Sequence, residues 1–198
     1  MLLRLAMSLA CLMLVAPLAH AEKPYLNRLQ KQMLEDEKVI VSPMKPTDDS
    51  GVAAMAVAIM KAPVDKVWPV VRDCEHFHKF MPRAKKSELR KKLSDTQMVC
   101  FLEVSMPFPL SNLHSEVLST ISQVGKGWKR KWTLRKGNYK RNNGSWEVYP
   151  YGKDKGWSLL VYNIDVDPDM SIPDAILRKA QTGSLPDVFK AIRKRVGG

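Results

Sequence analysis

Between residues 25 and 37 the apolar side chains of Leu26, Leu29, Met33 and Leu34 recur at roughly helical spacing, which predicts a short amphipathic helix. Val39, Ile40 and Val41 predict a strand over 38–44, and a turn-rich stretch at 46–51 leads to a hairpin partner over 52–61. Pro63 suits a first helical turn, and Val64, Val67, Trp68 and Val71 then repeat at 3/4 spacing, so 63–72 is predicted helical. Pro69 inside that segment is expected to shorten or kink it. Asp73 can cap a second short helix from 74 to about 80. The next part reads as strands at 84–93, 97–106, 113–123, 128–136, 145–150 and 156–166, with turns at 94–95, 125–127, 142–144 and 152–156. A last helix is predicted over 172–196, its stripe formed by Ile172, Ile176, Ala180, Val188, Phe189, Ile192 and Val196. Gly183 and Pro186 interrupt it, so a kink or break is expected there.

Runs of strands with the helices kept apart define an α+β fold. A curved antiparallel sheet cannot leave its apolar face wet, and the large apolar element left to cover it is the final helix. The sheet should therefore wrap around that helix.

Composition adds the compartment. The chain has 198 residues, 45% of them apolar and 26% charged, which excludes wholesale disorder and a disulfide-stapled mini-protein. Residues 1–21 carry Arg4, an apolar run from Leu5 to Ala19 and a closing Ala19-His20-Ala21, the pattern of a secretory signal peptide. A membrane anchor is the alternative, against which the run is short. Cys11 lies inside the run and is a poor lipid acceptor. The expected organisation is a signal peptide at 1–21, a helical segment at 22–36 and one domain at 37–198. The expected location is exported, periplasmic in a Gram-negative bacterium. Cys74 and Cys100 survive cleavage, and an oxidising compartment permits a disulfide. Their sequence separation does not fix their Cα distance, so two small buried apolar side chains remain the alternative.

Residues 62–89, APVDKVWPVVRDCEHFHKFMPRAKKSEL, resemble the START-like (SRPBCC) superfamily, nearest its bacterial START-domain and coenzyme-Q-binding or polyketide-cyclase branches. The resemblance rests on Pro63, the Val67-Trp68 pair, Asp73, Phe77 and the Phe80-Met81-Pro82 exit, and on 172–196 as the closing helix. It covers roughly residues 37–196. It implies a helix-grip fold, a sheet of about seven strands around the C-terminal helix, with a deep and mostly apolar cavity between them. Members carry lipids, sterols, quinones or polyketides, and some are enzymes. The family has no universal catalytic residue, so none is assigned.

Strand alternation and that topology together nominate Val57, Leu102, Val104, Arg130, Trp132, Tyr149, Leu160, Tyr162, Ile176 and Ala180 as ligand-lining. Arg130 shares a strand face with Trp128, Trp132 and Leu134. If that face points inward, Arg130 is a buried cation needing Glu103, Glu116 or an acidic ligand head group. If it points outward, Arg130 is simply solvated. No metal or cofactor is expected: Cys74, His76 and His78 do not all converge on a helix, and no glycine-rich phosphate loop is present.

The formal net charge is +12, and the stretch from Lys126 to Arg141 holds basic residues interleaved with Trp128, Trp132 and Tyr139 but no acidic ones. That suits an anionic membrane surface, with a solvated strand and hairpin tip whose indoles sit in the core as the alternative, and export argues against nucleic acid. The expected function is carriage of a hydrophobic small molecule by a monomer, with peripheral contact to anionic membrane through this stretch. One alternative is a cyclase, aromatase or hydrolase using Glu103, His114, Arg130 and Tyr162 in the same cavity. Another is an adaptor whose basic face binds an acidic partner.

Overall fold

The first helix, α1 (Arg28–Glu35), starts at a capping box: the Asn27 side chain accepts from the Gln30 backbone and the Gln30 side chain accepts from the Asn27 backbone. This computed structural model describes residues 23–152, 156–170, 172 and 174–197, with backbone alone for 174–182. The signal peptide expected at 1–21 lies outside the described residues.

After α1 come β1 (Ile40–Met44), β2 (Val52–Met60), α2 (Val64–Arg72) and a single 3-10 turn at Phe77–Lys79. Six further strands follow: β3 (Ala84–Lys92), β4 (Gln97–Val104), β5 (Leu113–Val124), β6 (Gly127–Gly137), β7 (Tyr139–Tyr151) and β8 (Trp157–Pro168). The chain closes with α3 (Asp174–Gly197). All strands join one antiparallel sheet in the order β1-β2-β8-β7-β6-β5-β4-β3. The fold is thus the α+β helix-grip arrangement, with eight strands rather than about seven. Register shifts in the β3–β4, β5–β6 and β7–β8 pairings mark bulges, which bend strands and help the sheet curl.

Rows of paired residues define the inner face. One row runs Ala56, Tyr162, Trp146, Arg130, Ile121 across β2, β8, β7, β6 and β5. The next runs Ala54, Ile164, Gly144, Trp132, Ser119. On β2 the inward residues are Ala54, Ala56 and Ala58, all buried, and their small side chains let α3 lie close. Leu185, Phe189 and Ile192 of α3 pack there with Val67, Trp68 and Val71 of α2 in the main core. Trp68 stacks on Trp128, with ring centroids 5.7 Å apart, and fills the end of the sheet under α2.

The outer face carries a second core. Leu26 and Leu34 beside α1 cover Val57, Ile59, Tyr149, Leu159 and Val161. Because β2 is covered on both faces, its sequence VAAMAVAIM is apolar throughout and carries no parity signal. Arg193 of α3 donates to the carbonyls of Glu37 (2.8 Å) and Ile59 (3.2 Å), tying the C-terminal end of the chain to its N-terminal segment.

Two expectations need correction. Residues 142–144 are not a turn but the interior of β7, which begins at Tyr139. The turn falls at Gly137-Asn138, where Gly137 takes φ 144°. The Asn-Asn-Gly composition has other causes. Asn142 accepts from the Trp132 indole (3.2 Å), and Asn143 accepts from the Leu134 backbone (3.2 Å). A β-carbon at Gly144 would overlap the Trp132 ring and the Asn163 carbonyl. The second correction is α3, which runs unbroken through Gly183 and Pro186.

Cys74 and Cys100 form a disulfide with Cα atoms 6.1 Å apart, binding the segment after α2 to β4. Closing a loop of 26 residues lowers the entropy of the unfolded chain enough to stabilise by about 3–4 kcal/mol. Replacing both cysteines by alanine should lower unfolding free energy by about that amount in urea titration. On the outer face, Glu147 is buried yet held by Lys129 (2.7 Å), Tyr149 (2.7 Å) and Ser145 (2.9 Å). Burial alone would raise its carboxyl pKa; those bonds outweigh it and hold the carboxyl below its ordinary value. Its stabilisation is therefore complete above the unfolded carboxylate pKa and is lost as pH falls through the lower folded value. Glu147→Gln should flatten the loss of stability below roughly pH 4. Urea midpoints measured across acid pH check this, and an unchanged slope would count against it.

Candidate ligand-binding site

Strands stand about 4.8 Å apart and a helix is about 10 Å across, so one helix covers about two strands. On the sheet α3 takes β2 and β1, and α2 meets β6, β7 and β8 at one end. The space between is a cavity of about 250 Å³. Its walls are Leu102 and Val104 of β4, Leu113, Ser115 and Val117 of β5, Trp132 of β6, Trp146 of β7, Tyr162 and Ile164 of β8, and Leu185 and Val188 of α3. The Cys74–Cys100 disulfide and Phe77 form part of its inner end. Met81, Arg83, Met106, Tyr139 and Pro168 line its other end.

That outer end is knitted by Asn138. Its side chain accepts from the His114 backbone (2.7 Å) and donates to the Asn112 carbonyl (2.9 Å), while its own carbonyl accepts from Asp169 (3.0 Å). The turn between β6 and β7 thereby holds both the loop before β5 and the connection after β8. At the tip of that loop Phe108 is 98% exposed.

The lining is aromatic with few polar groups. The Tyr162 ring lies 4.1 Å from Trp146 and 5.9 Å from Trp132, centroid to centroid. Arg130 points inward and is buried; its Nε donates to Ser119 Oγ (3.1 Å) and its Nη1 to the Val71 carbonyl (3.3 Å). Its guanidinium lies over the Phe77 ring at 5.5 Å. Burial pulls its pKa down to about 10, against the pull of Asp73 and Tyr162, so it is charged at neutral pH. Burial also pushes the Tyr139 and Tyr162 hydroxyls well above the ordinary tyrosine range, so both remain neutral donors. Among the described residues no carboxylate or imidazole lines the cavity.

Of the residues nominated from sequence, Leu102, Val104, Arg130, Trp132 and Tyr162 come together on the cavity wall. Leu160 faces inward but sits in the packed core outside the cavity. Val57 and Tyr149 lie on the outer face against Leu26 and Leu34; for Val57 the parity error follows from a strand that is apolar on both sides. Ile176 and Ala180 fall in α3 where side chains are outside the described residues. Leu113, Ser115 and Val117 also line the cavity, and their alternation on β5 is readable in the sequence. Tyr139 and Asn142 were hidden by the misplaced turn. Glu103 and His114 are not cavity residues: Glu103 accepts from Asn112 (2.7 Å), and His114 is exposed beside Phe101. Cys74, His76 and His78 have separate partners, the disulfide, Asp73 and Ser87.

Over residues 60–193 the chain matches the family described as polyketide cyclase / dehydrase and lipid transport, and it belongs to that family. Its solved structural neighbours are START/SRPBCC proteins, in keeping with the resemblance of residues 62–89. A STAR-related lipid transfer protein from Xanthomonas axonopodis is 24% identical, with a TM-score of 0.66 over 81% of this chain and 94% of that one. Human StAR-related lipid transfer protein 5 is 15% identical, with a TM-score of 0.69 over 80% and 81%. The Zhui aromatase/cyclase from Streptomyces is 13% identical, with a TM-score of 0.55 over 80% and 92%. These likenesses establish the fold. No curated protein matches the chain.

Gly144 sets the position of the Trp132 ring and hence of one cavity wall. Gly144→Ala should cost roughly 1–3 kcal/mol in urea unfolding through overpacking. Trp132 emission should shift as its ring is displaced; a variant with unchanged stability and fluorescence would contradict this packing.

Proposed function

We propose that this protein is an exported carrier that holds one hydrophobic molecule between the sheet and α3 and exchanges it with a membrane. The carrying observation is an apolar, aromatic-lined cavity in a member of a family whose description includes lipid transport. Burial of ligand surface drives binding, at about 0.8 kcal/mol per methylene. A cavity of about 150 Å³ is enough for benzene, so 250 Å³ suits a single-chain or few-ring molecule.

Export is supported by the sequence of residues 1–21 and by the disulfide, which suits an oxidising compartment. In a Gram-negative bacterium that compartment is the periplasm. Binding without turnover is favoured over cyclase or hydrolase chemistry because, among the described residues, the cavity wall offers no general base.

Membrane contact is supported by only part of the stretch from Lys126 to Arg141. Arg130 points inward, Lys129 is engaged by Glu147, and Arg141 is buried against Asp48 and Asp165. Lys136, which reaches Glu116 at 3.5 Å but stays mostly exposed, and the exposed Lys140 stand on either side of the turn at the outer end of the cavity, the end where the Phe108 loop also stands. Cations beside an exposed aromatic suit an anionic bilayer surface.

Native mass spectrometry of the protein recovered from its own host compartment, followed by organic extraction, tests the carrier. A lipid, quinone or sterol at near one-to-one stoichiometry is expected, and Val104→Trp should abolish it by filling the wall. A protein recovered empty that also takes up no fluorescent fatty acid or sterol would overturn the reading. Sedimentation with anionic vesicles should fall several-fold for Phe108→Ala combined with Lys136→Glu and Lys140→Glu, and should not occur with neutral vesicles.

A further inference from the structure

The inner end of the cavity holds a charge that its surroundings do not neutralise. Arg130 is 3% exposed, and the two groups it bonds, the Ser119 hydroxyl and the Val71 carbonyl, are both uncharged. Val71 lies in the last turn of α2, where the helix dipole supplies at most about half a negative charge. Asp73 attracts the guanidinium from a distance, but its carboxylate is engaged by His76 (2.6 Å) and the Glu75 backbone (3.1 Å). The Asp73 side chain is also 43% exposed, so water screens it. Among the described residues no carboxylate stands within ion-pair distance of Arg130. A buried cation with neutral partners is among the most costly arrangements a core can hold, and an apolar side chain would relieve it.

The same cation faces the cavity, and a second donor stands with it. Tyr162 lies in the same cross-strand row, on the far side of Trp146 from Arg130. Among the described residues its hydroxyl makes no hydrogen bond, and it too lines the cavity. A guanidinium and a phenol together are the donor set that an oxyanion fits.

Position along the strands adds the orientation. The inner end is shut by α2, Phe77 and the disulfide. From Tyr162, β8 runs six residues to Pro168 at the outer end, a path of roughly 20 Å. The walls along it are mostly apolar, with Val104, Leu113, Ile164 and Val166; the polar Ser115 and Asn142 there bond each other (3.1 Å).

We infer that the cavity takes an anionic amphiphile head first, its carboxylate or phosphate on Arg130 and Tyr162 and its apolar part directed to the outer end. This inference rests on the hydrophobic-carrier reading and names the class of ligand. It also explains why the chain keeps an arginine that the empty fold would be more stable without.

The test is titration calorimetry of the delipidated mature protein, at slightly alkaline pH, with dodecanoate, monododecyl phosphate and dodecan-1-ol. At least one oxyanion should bind roughly ten- to hundredfold more tightly than the alcohol. The preferred one separates a fatty-acid head from a phosphate head. Arg130→Met should erase that ratio by weakening oxyanion binding far more than alcohol binding, and its urea midpoint should equal or exceed that of the wild type. A purely structural arginine would instead lower the midpoint and spare the ratio. Should Arg130→Met not fold, Tyr162→Phe must still cut the ratio severalfold. Equal binding of alcohol and both oxyanions by the wild type would overturn the head-group inference and leave the carrier standing. Binding of none of the three would overturn the carrier itself.

Discussion

The architecture depends on a mismatch of widths. An eight-stranded sheet is roughly 34 Å across, and one helix about 10 Å thick must serve its inner face. The chain resolves this unevenly. Alanines on β2 draw α3 down onto one side, where Leu185, Phe189 and Ile192 make a dry core. Under α2 the Trp68–Trp128 stack fills one end. The remaining span is too wide to be filled from α3, and it becomes the cavity. A chamber for a ligand is thus what is left when α3 covers one side of a long sheet and α2 only one end of it, and no special device is needed to hollow it out.

Much of this was legible in the sequence because most elements announce themselves by period. The helix at Val64–Arg72 follows from Val67, Trp68 and Val71, and β4 from the alternation of Met98, Cys100 and Leu102. The misplaced turn came from a local signal that tertiary contacts had put to another use. Asn142, Asn143 and Gly144 look like a turn, yet their amides satisfy neighbouring groups and the glycine makes room for Trp132. The face of Val57 is unreadable because β2 is apolar on both sides and carries no parity signal, whereas on β7 the outer-face Ser145 and Glu147 did mark the side of Tyr149. The disulfide was undecidable because a Cα separation is a property of the fold and not of spacing.

Arg130 shows the opposite case. Its alternation with Trp128 and Trp132 was readable, and so was the conflict of putting a guanidinium among indoles. What no sequence could give was the answer to that conflict: the two acidic residues considered as partners, Glu103 and Glu116, are engaged elsewhere, by Asn112 and by Arg135 and Lys136. The local rules of packing and charge agree almost everywhere in this chain, and they part at the one residue facing the cavity floor.

The Cys74–Cys100 bond has a mechanical consequence. β3 is an edge of the sheet, with β4 beside it, and Ser87 of β3 bonds back to His78 and the Glu75 carbonyl. The disulfide rivets that margin to the segment after α2, at the closed end of the chamber. With the Ser87 bonds it ties the inner stretch of this edge to the segment after α2, so these covalent and hydrogen-bonded ties concentrate at the closed end rather than by the Phe108 loop. The chamber is built like a purse stitched at the bottom: whatever its contents, their passage is set by how far the open side can part, while the floor keeps its shape.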